Sequence, residues 1–256
     1  MRVVVCLPTY NERPNLEPVL RALAGVLPDD AGVLVIDDSS PDGTGELADR
    51  LGAELAFVEV LHRPHKQGLG PAYLAGFARA LADGAELVLE MDCDFSHDPA
   101  DVPRLIAAAE GADLVLGSRY VAGGRIGNWG LGRRLVSSGG SLYARLMLRL
   151  PVRDPTGGFK CYRRRVLEAI DLDSISSKGY AFQIETTYRA VSAGFRVVEI
   201  PISFVDRAVG GSKMSRSIVL EAVWKVPVLR LRKALGRLRK SGPSPRANGA
   251  RPEEGA

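Results

Sequence analysis

Cysteine, histidine and aromatic residues are scarce in this sequence, and it contains no long hydrophobic run. It has three cysteines and three histidines in 256 residues, and Cys6, Cys93 and Cys161 form neither a Cys-x-x-Cys pair nor a Cys/His ligand spacing. This excludes a zinc-finger ligand set and a disulfide framework. We therefore expect reduced, structural thiols and a cytosolic location. The N-terminal apolar run, residues 3–7, is too short for the core of a signal peptide and predicts a first strand.

The net positive charge of the chain comes from one segment. The net charge is +4, with 46% apolar and 25% charged residues, which is typical of one large globular domain or of a domain with an appendage. Residues 225–240 contain seven basic residues and no acid, so the basic character is local. No aromatic residue is interleaved with these charges, which argues against a nucleic-acid-binding module.

The basic segment has the pattern of an amphipathic helix. Four of its apolar residues follow helical spacing, namely Val228, Leu231, Leu235 and Leu238. The apolar residues before it, 218–224, are fewer than the roughly 20 needed to cross a bilayer. The pattern predicts a basic amphipathic helix on the membrane surface over residues 216–240. The alternative is a helix that packs on the core and has a solvated basic face.

Short apolar segments alternate with segments of helical periodicity in the first half of the chain. The predicted strands are residues 3–7, 33–36, 57–61, 87–91 and 113–117. The predicted helices between them are residues 16–26, 44–51, 71–82 and 105–109. This alternation predicts an α/β fold, doubly wound, with a mostly parallel sheet flanked by helices. In such sheets ligands bind beyond the carboxyl ends of the strands.

The second half is less regular. A basic amphipathic helix is predicted at residues 131–150, where Arg134, Arg145 and Arg149 are interpreted as solvated or membrane-facing. Further predictions are a turn-rich segment at 154–160, a helix at 182–191, short strands at 196–200 and 202–205, and a flexible basic loop at 206–215. Residues after 241 are rich in Gly, Pro and charge and predict a disordered tail.

Three of the predicted strands end in polar side chains. They are Tyr10 and Glu12 after the first strand, Asp37 and Asp38 after the second, and Asp92 and Asp94 after the fourth. Residues two apart in an extended segment point to the same side, so Asp92 and Asp94 are expected to aim at one place. Two such carboxylates repel each other unless a cation lies between them, and Mg2+ and Mn2+ prefer oxygen ligands. The alternative is that the pair ends a strand and solvates a loop.

Several motifs in the chain resemble those of one enzyme family. Pro8-Thr9-Tyr10-Asn11-Glu12, Asp37-Asp38-Ser39-Ser40-Pro41-Asp42-Gly43, Gly68-Leu69-Gly70 and Asp92-Cys93-Asp94 resemble motifs of family 2 glycosyltransferases, which have the Rossmann-like GT-A fold. The segments 117–120, 154–159, 179–185 and 207–215 resemble polyprenol-phosphate (dolichol-phosphate) mannose synthases. The resemblance covers residues 2–215. It implies a catalytic domain at 1–215, and the charge pattern and composition already described add the membrane-surface helix region at 216–240 and the tail at 241–256.

The resemblance implies roles for individual residues. The donor-nucleotide positions are Pro8, Tyr10, Glu12, Asp37, Asp38, Gly68, Gly70, Asp92 and Cys93. The metal positions are Asp92, Asp94 and Ser96, the last of which is commonly Gln in the family. The acceptor-phosphate positions are Arg119, Arg133 and Ser137. The catalytic positions are Asp94, Arg119, Arg207 and Lys213, and the last two are expected to close over the phosphates after the donor binds.

The implied reaction moves mannose from GDP-mannose to a polyprenyl phosphate, with inversion and with Mg2+ or Mn2+. The acceptor phosphate is ionised at neutral pH and is already a nucleophile, so cations that hold it matter more than a general base, and arginine suits that task. The expected partners are GDP-mannose, the lipid phosphate, the cytoplasmic face of the membrane and a separate membrane-anchoring protein, but no nucleic acid. Two alternatives are transfer from UDP-glucose or another sugar nucleotide, and a catalytically silent nucleotide-binding scaffold at the membrane.

Overall fold

The protein is a mixed α/β structure built on one large sheet. The computed structural model describes residues 2–127, 129–177, 179–205 and 216–236, with side chains from Val223 onward in the last range. The strands are β1 Val3–Thr9, β2 Ala31–Asp37, β3 Val58–His62, β4 Leu87–Glu90, β5 Leu114–Ser118, β6 Arg125–Ile126, β7 Lys160–Arg163, β8 Val197–Pro201 and β9 Ser203–Phe204. The helices are α1 Arg13–Ala24, α2 Thr44–Glu54, α3 Leu69–Ala82, α4 Val102–Ala108, α5 Leu131–Leu148, α6 Arg164–Ala169, α7 Gly179–Ser192 and α8 Arg216–Ala234.

The sheet confirms the predicted fold class. Its strand order is β3-β2-β1-β4-β7-β5-β8, and β1 pairs in parallel with both β2 and β4. Strand β7 alone within this sheet runs antiparallel to its neighbours, β4 and β5. The ends of β2, β1 and β4 are therefore adjacent at one edge of the sheet, and all three carry predicted site residues. Strands β6 and β9 form a separate two-stranded sheet.

The core lies on both faces of the large sheet. Alternate residues of β1 enter opposite cores, with Val5 on one face and Cys6 on the other, as strand geometry requires. Helix α3 lies so close to the sheet that a Cβ on Gly76 would come within 2.4 Å of Ile36 Cδ1. The three cysteines are free and buried, as predicted.

Strand β7 is absent from the sequence prediction because its polar residues break the apolar pattern. The buried side chains of Lys160 and Tyr162 form hydrogen bonds with residues that are distant in sequence. Lys160 Nζ donates to the carbonyl of Gln183 at 2.8 Å, and Tyr162 Oη donates to Glu90 Oε1 at 3.0 Å. These bonds join β7 to α7 and β4, and thus stabilise the strand after which the Asp92–Asp94 motif follows.

Helix α8 packs against α5 and α7. Its Val226 and Leu229 are buried, the Tyr143 hydroxyl donates to the carbonyl of Val223 at 2.9 Å, and Arg230 donates to the carbonyl of Met147 at 2.8 Å. The residues predicted to form its apolar face do not all face the core. Val228 is half-buried, whereas Leu231 and Leu235 are exposed. Leu238 and residues 241–256 lie outside the described residues. In the described part of the chain, no helix is both long and apolar enough to cross a membrane.

Candidate active site

The two acids that follow β4 lie in a tight turn. Asp94 is buried and Asp92 is half-buried. The backbone N–H of Ser96 donates to Asp94 Oδ1 at 3.0 Å, and Phe95 adopts a left-handed backbone with φ of 59°, which is uncommon for a residue with a side chain. The turn therefore fixes the orientation of the Asp94 carboxylate at the carboxyl end of the strand.

The donor set of this turn fits Mg2+ or Mn2+. Within the described residues there is no cluster of three or more His, Cys, Asp or Glu side chains suited to hold a metal. Asp92 and Asp94 supply two carboxylates, and their role as metal ligands stays a prediction. Mg2+ accepts such a site because it is commonly bound through one or two carboxylates together with water and substrate phosphates. The Ser96 amide orients Asp94, and a direct metal contact of Ser96 stays a prediction.

His97 belongs to this site although the sequence did not indicate it. The backbone N–H of Asp92 donates to His97 Nδ1 at 3.1 Å, and the ring stacks on Phe159 with centroids 4.7 Å apart. Burial lowers the pKa of His97 to about 4, so the ring is neutral at physiological pH. A lone histidine three residues beyond the acid pair carries no motif by which it could have been found.

Hydrogen bonds join the residues at the ends of β1 and β2 that are predicted to bind the sugar nucleotide. Asp37 Oδ1 accepts from the Thr9 hydroxyl at 3.0 Å and from the Ser40 hydroxyl at 2.6 Å. Glu12 donates its backbone N–H to the Thr44 hydroxyl at 3.1 Å. Pro8 lies in β1, opposite Ile36 of β2. The structure thus brings the predicted residues of the first two strand ends together.

Asp38 has a buried partner that the sequence did not reveal. Arg63, directly after β3, donates to Asp38 Oδ1 and to Gln67 Oε1 at 2.8 Å. Burial raises the pKa of Asp38, and the Arg63 charge offsets this only in part. Close by in the chain, the Lys66 ammonium lies 3.7 Å from the centroid of the Tyr10 ring. The 63–67 segment therefore contacts two of the residues predicted to bind the donor nucleotide.

The two glycines predicted for this pocket have structural reasons to be glycine. Gly68 has φ of 104° just before α3, a conformation that residues with a side chain rarely adopt. A Cβ on Gly70 would come within 2.6 Å of the Ser177 carbonyl and 3.1 Å of the Phe182 ring. Cys93 is buried between the two acids. A direct contact of any of these three with a nucleotide stays a prediction.

Arg119 forms a buried ion pair with Asp154. Its Nε donates to Asp154 Oδ2 and its Nη2 to Oδ1, both at 2.7 Å, and Nη2 also donates to the Thr156 hydroxyl at 2.9 Å. Burial by itself would raise the pKa of Asp154, but the Arg119 charge and several hydrogen bonds outweigh it and lower the pKa. Arg119 is thus a fixed cation at the end of β5, and Asp154 and Thr156 are the residues that fix it.

Arg133 and Ser137, the other two residues predicted to bind the acceptor phosphate, lie near Arg119. The Tyr120 hydroxyl donates to the Ser137 hydroxyl at 2.8 Å. The Arg133 guanidinium lies 4.2 Å from the Trp129 ring centroid, and the Arg119 guanidinium lies 5.7 Å from it. The structure therefore gathers Arg119, Arg133 and Ser137 at the start of α5. Arg207 and Lys213 lie outside the described residues.

Comparison with known proteins identifies the family. The model for glycosyl transferase family 2 matches residues 4–171. An undecaprenyl-phosphate mannosyltransferase of Micrococcus luteus is 51% identical over 226 residues, which are 88% of this chain and 93% of the relative. A polyprenol monophosphomannose synthase of Mycolicibacterium smegmatis is 48% identical over 240 residues, 93% of this chain and 90% of the relative.

Solved structures agree on the fold. The glucosyl-3-phosphoglycerate synthase of Mycobacterium tuberculosis in complex with Mn2+, UDP and glucosyl-3-phosphoglycerate superposes with a TM-score of 0.60 at 20% identity, covering 93% of this chain and 80% of that one. TarS of S. aureus in complex with UDP-GlcNAc gives a TM-score of 0.62 at 18% identity over 90% of this chain and 67% of that one. The GT-A fold is thereby confirmed, and with the family match at residues 4–171 the chain belongs to glycosyltransferase family 2.

Proposed function

We propose that this enzyme transfers mannose from GDP-mannose to a polyprenyl phosphate, with inversion, to give polyprenyl phosphate β-mannose. The observation that carries the proposal is the similarity along nearly the whole chain to two relatives whose names both state mannose and a polyprenol phosphate. The site geometry supports it, because the carboxylate pair follows β4 and Arg119 follows β5, two strands that run in the same direction on either side of β7. GDP as the nucleotide rests on the resemblance in the sequence motifs.

The donor half of the reaction is assigned to the strand ends of β1, β2 and β4. Asp92 and Asp94 would hold a divalent cation, Mg2+ or Mn2+, which when bound offsets the charge that develops on the leaving diphosphate. Asp37 and Glu12 lie where the nucleoside is expected to bind, and Asp38 with Arg63 extends that pocket. Hydrogen bonds hold the side chains of Asp37 and Asp38 in place, which lowers the entropic cost of binding a donor.

The acceptor half is assigned to Arg119, Arg133 and Ser137. A phosphate oxygen of the lipid attacks the anomeric carbon of the sugar, and the bond from that carbon to the leaving diphosphate breaks. Because the phosphate is already ionised, the protein needs to hold and orient it rather than to deprotonate it. Arg119 suits this role because Asp154 and Thr156 hold its guanidinium in one orientation. The roles of Arg207 and Lys213 rest on the resemblance.

Helices α5 and α8 form an apolar face that fits a lipid bilayer. Among the side chains that the structure describes, the large exposed hydrophobic residues lie on these two helices, with two exceptions: Val205, and Leu235, which directly follows α8. The most exposed on α5 are Leu131, Leu135, Leu142 and Leu146, and on α8 Trp224 and Leu231, with Leu235 directly after the helix. Within each helix these residues share one face by their spacing. Exposed arginines flank the α5 leucines, namely Arg134, Arg145 and Arg149.

We therefore propose that α5 and α8 bind the membrane surface together. Apolar side chains enter the headgroup region, and each flanking basic residue near an anionic leaflet contributes about 1 kcal/mol. Helix α5 also carries Arg133 and Ser137, so membrane binding would bring the acceptor residues to the depth of a lipid phosphate. The reduced, buried cysteines suit the cytoplasmic face of the membrane. A separate anchoring protein is a further partner that this face could accept.

Replacing Leu135 and Leu142 by glutamine together is expected to weaken binding to anionic vesicles by about tenfold or more, because two exposed leucines lose the stabilisation of entering the lipid. The KM for polyprenyl phosphate in vesicles should rise, and GDP binding should be unchanged. Vesicle co-sedimentation and donor binding measure these effects. Val205→Gln is the matched control, since Val205 is exposed but lies on neither helix. Equal vesicle binding by the double variant and the control would contradict the membrane face.

A panel of donors and acceptors tests the proposed reaction. The enzyme should transfer sugar from GDP-mannose to polyprenyl phosphate in the presence of Mg2+ or Mn2+. If UDP-glucose is a donor and GDP-mannose is not, GDP-mannose is excluded as the donor and the alternative with another sugar nucleotide holds. Donor binding without transfer to any lipid phosphate would favour the silent scaffold.

A further inference from the structure

His97 contacts both the donor side and the acceptor side of the site. Its side chain is buried, with 2% of the residue exposed. It contacts the Asp92–Asp94 turn, Phe159 directly before β7 and Phe204 of β9. None of the roles assigned above involves His97.

His97 contacts the part of the site assigned to the sugar nucleotide through a hydrogen bond. Asp92 donates its backbone N–H to His97 Nδ1 at 3.1 Å, so Nδ1 is an acceptor and carries no proton. At the other end of the turn the Ser96 amide holds Asp94. The turn is thus fixed at both carboxylate-bearing residues, by Ser96 at one and by His97 at the other.

The contacts with the acceptor side are made by the ring. It stacks on Phe159 at 4.7 Å and 16° and meets the Phe204 ring nearly at right angles at 5.5 Å. Phe204 contacts Trp129 at 5.4 Å, and the Arg133 guanidinium lies over Trp129. A continuous series of ring contacts therefore runs from the turn that follows β4 to the arginine on α5.

We infer that His97 is a positioning residue with two separable roles: Nδ1 holds Asp92 in the geometry that a metal requires, and the ring sets the separation between the Asp92–Asp94 turn and the acceptor arginines. The inference rests on the proposed function, because it takes Asp92 as a metal ligand and Arg133 as an acceptor residue. Groups that orient metal ligands commonly matter 10- to 100-fold for metal affinity. A histidine that only fills the core would affect stability alone.

Two substitutions separate the roles. His97→Asn retains an acceptor oxygen at the position of Nδ1 but has no ring. His97→Phe retains a ring but has no acceptor. For each variant of the full chain, GDP binding is titrated with Mn2+, the KM for polyprenyl phosphate is measured at saturating donor and Mn2+, and the thermal midpoint is recorded. Leu23→Ala, a fully buried residue of α1, is the control for a loss of core packing.

His97→Phe is expected to raise the Mn2+ concentration for half-maximal GDP binding about tenfold or more, with a smaller change in acceptor KM. His97→Asn should keep the Mn2+ requirement within about threefold and raise the acceptor KM about tenfold, since small displacements of positioned groups are costly. Leu23→Ala should lower the thermal midpoint and change neither quantity. If His97→Phe does not fold, His97→Asn still tests the division of roles.

The inference is overturned if both His97 variants behave like Leu23→Ala, or if His97→Asn and His97→Phe change the two quantities in equal proportion. A wild-type chain that binds no GDP in the presence of Mn2+ is a different result. It would contradict GDP-mannose as the donor, and the proposed function would then fail. The inference about His97 would fail with it, because it takes Asp92 as a ligand of the metal that binds the donor.

Discussion

Replacing Asp94 by asparagine is expected to lower mannosyl transfer on the order of 1,000-fold or more. The substitution keeps the size of the side chain and its acceptor for the Ser96 amide, but it removes the negative charge that would hold a divalent cation. Such a cation supplies several kcal/mol of charge stabilisation to the leaving diphosphate, and each 1.4 kcal/mol is about tenfold in rate. Asp92→Asn should have an effect in the same direction.

The measurements are the transfer rate at saturating donor and the affinity for GDP as a function of Mn2+. GDP binding by Asp94→Asn should lose most of its dependence on Mn2+. Asp98→Asn is the matched control, because this exposed acid is only four residues away and its side chain accepts from the Ala100 amide at 2.9 Å. It should keep nearly the activity of the wild type. Transfer by Asp94→Asn at the rate of the control would mean that this turn does not hold the catalytic metal.

The site turn was predictable because its signal is local. Strands β1, β2 and β4 are nearly continuous apolar runs that stop at polar residues, and the parallel arrangement brings their carboxyl ends to one edge. Residues such as Asp37 and Asp92 could therefore be assigned to one site without any structure. The sequence motifs then supplied the family, which the comparisons confirm.

The residues that the sequence missed act through partners far along the chain. Asp154 lies 35 residues from Arg119 in sequence, and Arg63 lies 25 residues from Asp38. A buried ion pair leaves no periodic pattern, because each partner alone resembles a charged loop residue. The same holds for His97, because its ring contacts are with Phe159 and Phe204, which are distant in sequence and close only in the folded chain.

The environment of Arg119 also changes how its predicted role must be understood. An arginine that binds phosphate is expected to be partly solvated, whereas the side chain of Arg119 is only 5% exposed and that of Asp154 is fully buried. Two opposite charges in such a place stabilise each other, and either one alone is costly. Arg119 therefore has to be tested as one member of a pair, since its loss affects folding as well as acceptor binding.

Asp154→Leu is expected to lower the free energy of unfolding by about 3–5 kcal/mol, because it leaves the Arg119 guanidinium buried without its carboxylate. Arg119→Met should have a similar cost for the converse reason. The double variant Arg119→Met/Asp154→Leu removes both charges and should recover most of this stability. Denaturant unfolding of the four chains measures the effect. Arg21→Met, which removes exposed ion pairs with Glu17 and Glu54, should give no measurable change.

Activity separates the acceptor role of Arg119 from its contribution to folding. The double variant should be stable and bind GDP with Mn2+ like the wild type, but its KM for polyprenyl phosphate should rise about tenfold or more, because a charge-assisted bond to phosphate is worth about 1.5–3 kcal/mol. A double variant with a normal acceptor KM would mean that the pair serves the fold alone. If donor binding were lost as well, the division of the site between the β4 turn and the arginines of β5 and α5 would be wrong, because Arg119 would then act on both substrates.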